Sequence, residues 1–135
     1  MLTNIFTYGT LMFEPVWIKV TGSPHNSQKA ILTGFERKSV KDQFYPVLIP
    51  SRNQLKLHGV VYCDIDEATL CTLDMFEGDS YLRKIVRVNL YNGDALDAQT
   101  YILKKEYYHI IGSTDWDPLQ FEIKDMGFFL NSLFF

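Results

Sequence analysis

Cysteine is scarce in this sequence. Its 135 residues hold only Cys63 and Cys71, too few for a disulfide scaffold of this length, so both are expected to be reduced thiols in a cytoplasm. Neither has a histidine nearby in sequence, the usual local sign of a nucleophilic thiol. Histidine is equally sparse. His25, His58 and His109 lie far apart with no metal-ligand spacing, so no metal or other cofactor is expected. Net charge is only −3 and Lys and Arg form no block, which argues against a nucleic-acid partner, since backbone binding needs clustered cations. The N-terminus lacks the basic and apolar regions of a signal peptide. No apolar run reaches the roughly 20 residues that span a bilayer, so no membrane partner is expected. The apolar stretch from Gly127 to Phe135 is too short and has no basic face. It reads as the end of a docked helix or as a homodimer contact.

What is present suits one folded domain over residues 1–135. Hydrophobic residues make up 47% and charged residues 21%, the balance of a soluble globular chain, and the 15% aromatic content suggests a bulky core or an aromatic-lined pocket. Strands are expected at Asn4–Tyr8, Lys29–Phe35 continuing to Val40, Tyr45–Pro50, Leu55–Cys63, Arg83–Leu90 and Ala98–Leu103. The last two are joined through the turn Asn92-Gly93-Asp94. Helices are expected over Glu14–Val20, from Asp64 or Asp66 to Phe76 or Glu77, and from about Asp115–Pro118 to the C-terminus. Asp64 with Glu67 has capping-box spacing, and Gly78 is a stop signal. Tyr107–Ile111 is a further short segment. Strands and helices do not alternate, which disfavours a doubly wound sheet. The expected class is α+β: a mixed sheet curled toward a small β-barrel, flanked by helices.

Glu77 is the leading candidate for chemistry. On a helical wheel it falls between Leu70 and Leu73. A carboxylate on an apolar face, near the negative pole of its helix, has its pKa raised toward the range useful for proton transfer. Ala68, Cys71 and Met75 form a second apolar set, so periodicity alone leaves open whether Glu77 is buried or a solvated helix-end residue. A second candidate is Tyr8-Gly9-Thr10-Leu11, where a strand ends at a glycine and a helix follows. Backbone N–H groups in such a bend can converge on an anion, with the Thr10 hydroxyl beside them. The segments Tyr45-Pro46, Tyr81 with Arg83, and Gly112 to Asp117 complete the set.

Taken together, these pieces resemble the γ-glutamylcyclotransferase-like family, in its avirulence-induced, γ-glutamylamine cyclotransferase-like branch. The resemblance rests on Phe6-Thr7-Tyr8-Gly9-Thr10-Leu11-Met12, Leu32-Thr33-Gly34-Phe35, Tyr45-Pro46-Val47, Gly59-Val60-Val61-Tyr62, and Leu73-Asp74-Met75-Phe76-Glu77-Gly78 with Tyr81 and Arg83. It continues through Ala98-Gln99-Thr100-Tyr101 and Asp115-Trp116. It implies a small mixed barrel whose cavity sets the Tyr-Gly-Thr-Leu loop opposite a catalytic glutamate. By the same resemblance Glu77 is the catalytic residue, and Tyr8, Gly9, Thr10, Leu11, Tyr45 and Tyr81 bind a small γ-glutamyl substrate. The implied reaction releases 5-oxoproline and an amine by intramolecular attack, without metal or cofactor. A non-catalytic small-molecule binder using the same cavity is the alternative.

Overall fold

The computed structural model describes residues 2–133. Five strands close into a barrel in the order β1 (Thr3–Thr7), β5 (Leu57–Ile65), β2 (Ser27–Leu32), β6 (Tyr81–Leu90) and β7 (Ala95–Leu103). All neighbours are antiparallel except β1 and β7, which meet in parallel with Ile5 opposite Gln99. A separate two-stranded ladder pairs β3 (Phe35–Ser39) with β4 (Pro46–Pro50). The long expected strand from Lys29 to Val40 is therefore two strands. Gly34, at φ 91°, turns the chain out of the barrel into the small ladder. The barrel class itself is as expected, with seven strands among the described residues in place of about six.

Strand periodicity builds two cores. Phe6, Ala30, Leu32, Val61, Val86, Val88, Ala98 and Ile102, drawn from all five barrel strands, pack together inside. Their sequence neighbours Ile5, Tyr62 and Tyr101 face outward into a helical layer. That layer consists of α1 (Glu14–Thr21), α2 (Glu67–Glu77) and a C-terminal helical run. Trp17 of α1 is fully buried, stacks on Tyr62 with ring centroids 3.8 Å apart, and donates its Nε1–H to His25 Nδ1 at 3.0 Å. Gly59 lets β5 approach β1: a Cβ there would lie 2.3 Å from the Thr7 carbonyl oxygen.

The helix caps differ in part from the sequence reading. Asp66 alone caps α2, accepting the Thr69 N–H at 2.8 Å. Asp64 sits within β5 at φ 60°, so the Asp64–Glu67 capping box does not form. Tyr107–Ile111 falls mostly in a 3₁₀ helix over Lys105–Ile110. The C-terminal run is a single turn, α3 (Pro118–Gln120), a π-helical turn over Phe121–Asp125, and α4 (Met126–Ser132). Asp117 caps it through the Leu119 N–H at 2.9 Å. The apolar tail is docked in part: Phe129 is buried against Phe121 and Leu130 and Leu133 are half-buried, whereas Phe128 is largely exposed beside Phe44. Phe134 and Phe135 lie outside the described residues. No helix among the described residues is long and apolar enough to cross a membrane.

Candidate active site

A cavity of about 240 Å³ opens where β1 ends, α2 ends and β6 begins. That is below the usual range for drug-sized ligands and suits a small metabolite. Its lining includes Tyr8, Gly9, Thr10 and Leu11 on one side, and Glu77, Ser80 and Tyr81 on another. Tyr45, Pro46 and Tyr101 complete the polar part, and Phe129 and Leu133 form an apolar wall. Every residue assigned above to catalysis or substrate binding therefore borders one space.

The bend is a 3₁₀ turn over Thr10–Met12. Its first internal donor is the Met12 N–H, bonded to the Gly9 carbonyl at 3.0 Å. The N–H groups of Thr10 and Leu11 precede that donor and have no acceptor within the turn. Gly9 does not adopt a left-handed conformation; its φ is −129°. The glycine is needed for close approach instead, because a Cβ would lie 2.7 Å from Cγ and Cδ of Pro46. The two segments singled out in the sequence, Tyr-Gly-Thr-Leu and Tyr-Pro, are thus one packing unit. Arg37 secures it. Its guanidinium donates to the Tyr8 carbonyl and to the Asp115 carboxylate, both at 3.2 Å, and lies 5.4 Å from the Trp116 ring centroid. Trp116 Nε1–H in turn donates to the Phe44 carbonyl at 2.7 Å. Asp115 and Trp116 act here as a brace for the bend and for the strand entry at Tyr45. Arg37 was not a sequence candidate, since nothing local distinguishes it from an ordinary strand cation.

Glu77 is the last residue of α2, and Gly78, at φ 84°, stops the helix with its N–H on the Asp74 carbonyl at 3.0 Å. The wheel resolves as follows: Leu70 and Leu73 are buried, whereas Ala68, Cys71 and Met75 face solvent. Glu77 is half-buried and borders the cavity, and its carboxyl is desolvated by the surrounding protein. That desolvation, with a smaller contribution from the negative charge of Asp74, pushes its pKa from 4.5 up to about 8.

The tyrosines around it stay protonated. Burial, and then the nearby Glu77 charge, raise the phenols of Tyr8, Tyr45 and Tyr81 above their ordinary values. The Tyr8 hydroxyl is committed, donating to the Tyr101 carbonyl at 2.6 Å. Tyr8 therefore forms wall and scaffold and has no O–H left to give a substrate. The Tyr81 hydroxyl makes only a long 3.5 Å contact with the Pro46 carbonyl and is easily redirected. Tyr101 and Asp74, which sequence reasoning assigned no role, meet through a 2.6 Å bond from the Tyr101 hydroxyl to Asp74 Oδ1. Among the described residues, no group of three or more His, Cys, Asp or Glu is arranged to hold a metal ion.

This geometry coincides with a family match. The family model described as gamma-glutamyl cyclotransferase, AIG2-like, matches residues 5–118. The chain belongs to that family. Among its relatives, AIG2-like protein D of Arabidopsis thaliana is 32% identical over 125 residues, covering 88% of this chain and 82% of that one. A solution structure of an Arabidopsis thaliana protein superposes with a TM-score of 0.75 at 23% identity, covering 98% of this chain and 79% of the other. A solved gamma-glutamyl cyclotransferase superposes with a TM-score of 0.67 at 17% identity, covering 77% and 68%. At these identities the two structures speak for the fold. The match to the AIG2-like family spans both the bend at Gly9 and the acid at Glu77.

Proposed function

We propose that this protein is a cyclotransferase that converts a γ-glutamyl amide into 5-oxoproline and a free amine. The observation that supports it is the shared cavity: a protonatable acid with a pKa near 8 borders the same small space as an amide-bearing bend. In this reading the N–H groups of Thr10 and Leu11, with the Thr10 side chain beside them, hold the substrate's α-carboxylate. Glu77, as carboxylate, takes a proton from the substrate's α-nitrogen. That nitrogen attacks the γ-carbonyl carbon, closing a five-membered ring and forming a tetrahedral centre. Glu77 returns the proton to the departing nitrogen as its bond to carbon breaks. Nucleophile and electrophile belong to one molecule, so folding the substrate supplies the proximity that an enzyme nucleophile would otherwise provide. Tyr45 and Tyr81, kept protonated, are the donors assigned to the developing oxyanion.

The test is Glu77→Gln assayed for 5-oxoproline release across a panel of γ-glutamyl amides. Turnover is expected to fall by about 10³-fold or more with ligand affinity retained, because the amide cannot carry the proton. A wild-type protein that binds such compounds and never releases 5-oxoproline would leave a binding protein in place of an enzyme.

A further inference from the structure

The last turn of α2 carries a second carboxylate that the reaction above does not use. Asp74 lies three residues before Glu77, on the adjoining turn of the same helix. Arg83 of β6 grips it with a fork, Nε to Oδ1 at 3.1 Å and Nη2 to Oδ2 at 3.3 Å. Arg83 is itself held by Gln99 Oε1, 2.6 Å from its Nη1. On the inner side, the Tyr101 hydroxyl donates to Asp74 Oδ1 at 2.6 Å. Tyr101 also borders the cavity, and its carbonyl receives the Tyr8 hydroxyl at 2.6 Å. One β7 residue thus joins the helix of the acid to the strand that leads into the bend. Gly78 already ends the helix, so stopping α2 does not require these bonds.

We propose that Asp74, gripped by Arg83 and Tyr101, is a positioning residue that fixes the Glu77 carboxyl in the cavity and supplies the negative charge that makes it a better proton acceptor. The proposal rests on the reading of Glu77 as the proton carrier. The groups facing Glu77 are Tyr8 at the end of β1, Tyr45 ahead of β4, Tyr81 on β6, Tyr101 on β7 and Asp74 on its own helix. Burial keeps the four phenols neutral. Asp74 is therefore the anion in this group that acts on Glu77, and Arg83 is the cation that moderates it. Removing the Asp74 charge lowers the pH at which Glu77 ionises; removing the Arg83 charge raises it.

The experiment follows the Glu77 side-chain carboxyl by ¹³C NMR titration of the full chain without substrate, in wild type, Asp74→Asn and Arg83→Gln. The midpoint is expected to move to lower pH in D74N and to higher pH in R83Q. The acid limb of kcat/KM for a γ-glutamyl amide should move with each, and the plateau kcat of D74N should fall by about tenfold. A merely structural clamp would lower kcat and leave the midpoints where they are, so unchanged midpoints in folded variants overturn the proposal. If D74N does not fold, R83Q decides alone, and the absence of an upward shift overturns it. Opposite shifts with no 5-oxoproline from wild type would sink the cyclotransferase reading while leaving the control of Glu77 by Asp74 standing.

Discussion

Glu77 is held in a place that opposes its own ionisation. Its carboxyl is protonated in the folded protein up to about pH 8, whereas its ordinary value is 4.5. Below that lower value the acid is neutral in both states and has no effect on stability. Between the two values the unfolded chain ionises freely and the folded chain does not, so stability falls as pH rises through this window. Glu77→Gln removes the effect. The variant is expected to match wild type at pH 4 and to exceed it by on the order of 2 kcal/mol at pH 8, read from urea denaturation at both values. A gain of equal size at both pH values would refute the assignment. Glu77 is only half legible from sequence: Leu70, Leu73 and Gly78 are local to it, but the second apolar set of Ala68, Cys71 and Met75 leaves the buried face open until the helix is packed. The reason for Gly9 is not legible there, since it depends on Pro46, which lies far along the chain. Asp74 and Tyr101 were equally hidden: each is ordinary alone, and only the closed barrel brings them within bonding distance.

At the level of elements, most strands and helices could be read from periodicity and stop signals, and the errors lie where tertiary packing overrides them. β2 and β3 read as one strand in the sequence because both are rich in strand formers, and the turn at Gly34 interrupts no hydrophobic pattern. The sequence of the C-terminal helix reads as a docked end or a homodimer contact. Its part in the cavity wall is invisible in the sequence, because Phe129 and Leu133 reach that wall through tertiary packing, with Phe121 of the same run set against Phe13 and Trp116. Phe129 ties this helix to the core, with Phe121 5.5 Å away between ring centroids. Phe129→Ala is expected to cost about 3 kcal/mol, the low end for a buried phenylalanine, since cavity water can fill part of the void. The same change should raise KM for a γ-glutamyl amide more than it lowers kcat. Chemical denaturation and steady-state assays on one preparation would check both, and a stability loss without any change in KM would remove the helix from the binding site.

On the scale of the whole molecule, the barrel has two thin joins. β6 and β7 pair along nine successive positions, whereas β2 and β6 share two register pairs and β1 and β7 a single one, Ile5 with Gln99. Side chains reinforce this parallel join. Thr100 Oγ1–H donates to the Phe6 carbonyl at 2.9 Å, Tyr8 to the Tyr101 carbonyl, and Asn4 Nδ2–H to the Asp97 carbonyl at 3.0 Å. Thr100 is fully buried, and its hydroxyl bond is worth about 1 kcal/mol. Thr100→Val keeps the shape and removes that bond. Amide hydrogen exchange in β1 is expected to quicken by about fivefold, with the β6–β7 ladder unchanged; a uniform change across all strands would mean the join is not where the barrel opens. Such breathing has a chemical side. The bend grows directly from β1, while the acid's helix is moored through Asp74 to Tyr101 on the opposite bank. A gap of a fraction of an ångström at the join therefore lengthens the reach between the two halves of the cavity, and warming would widen that hollow before the barrel itself came apart.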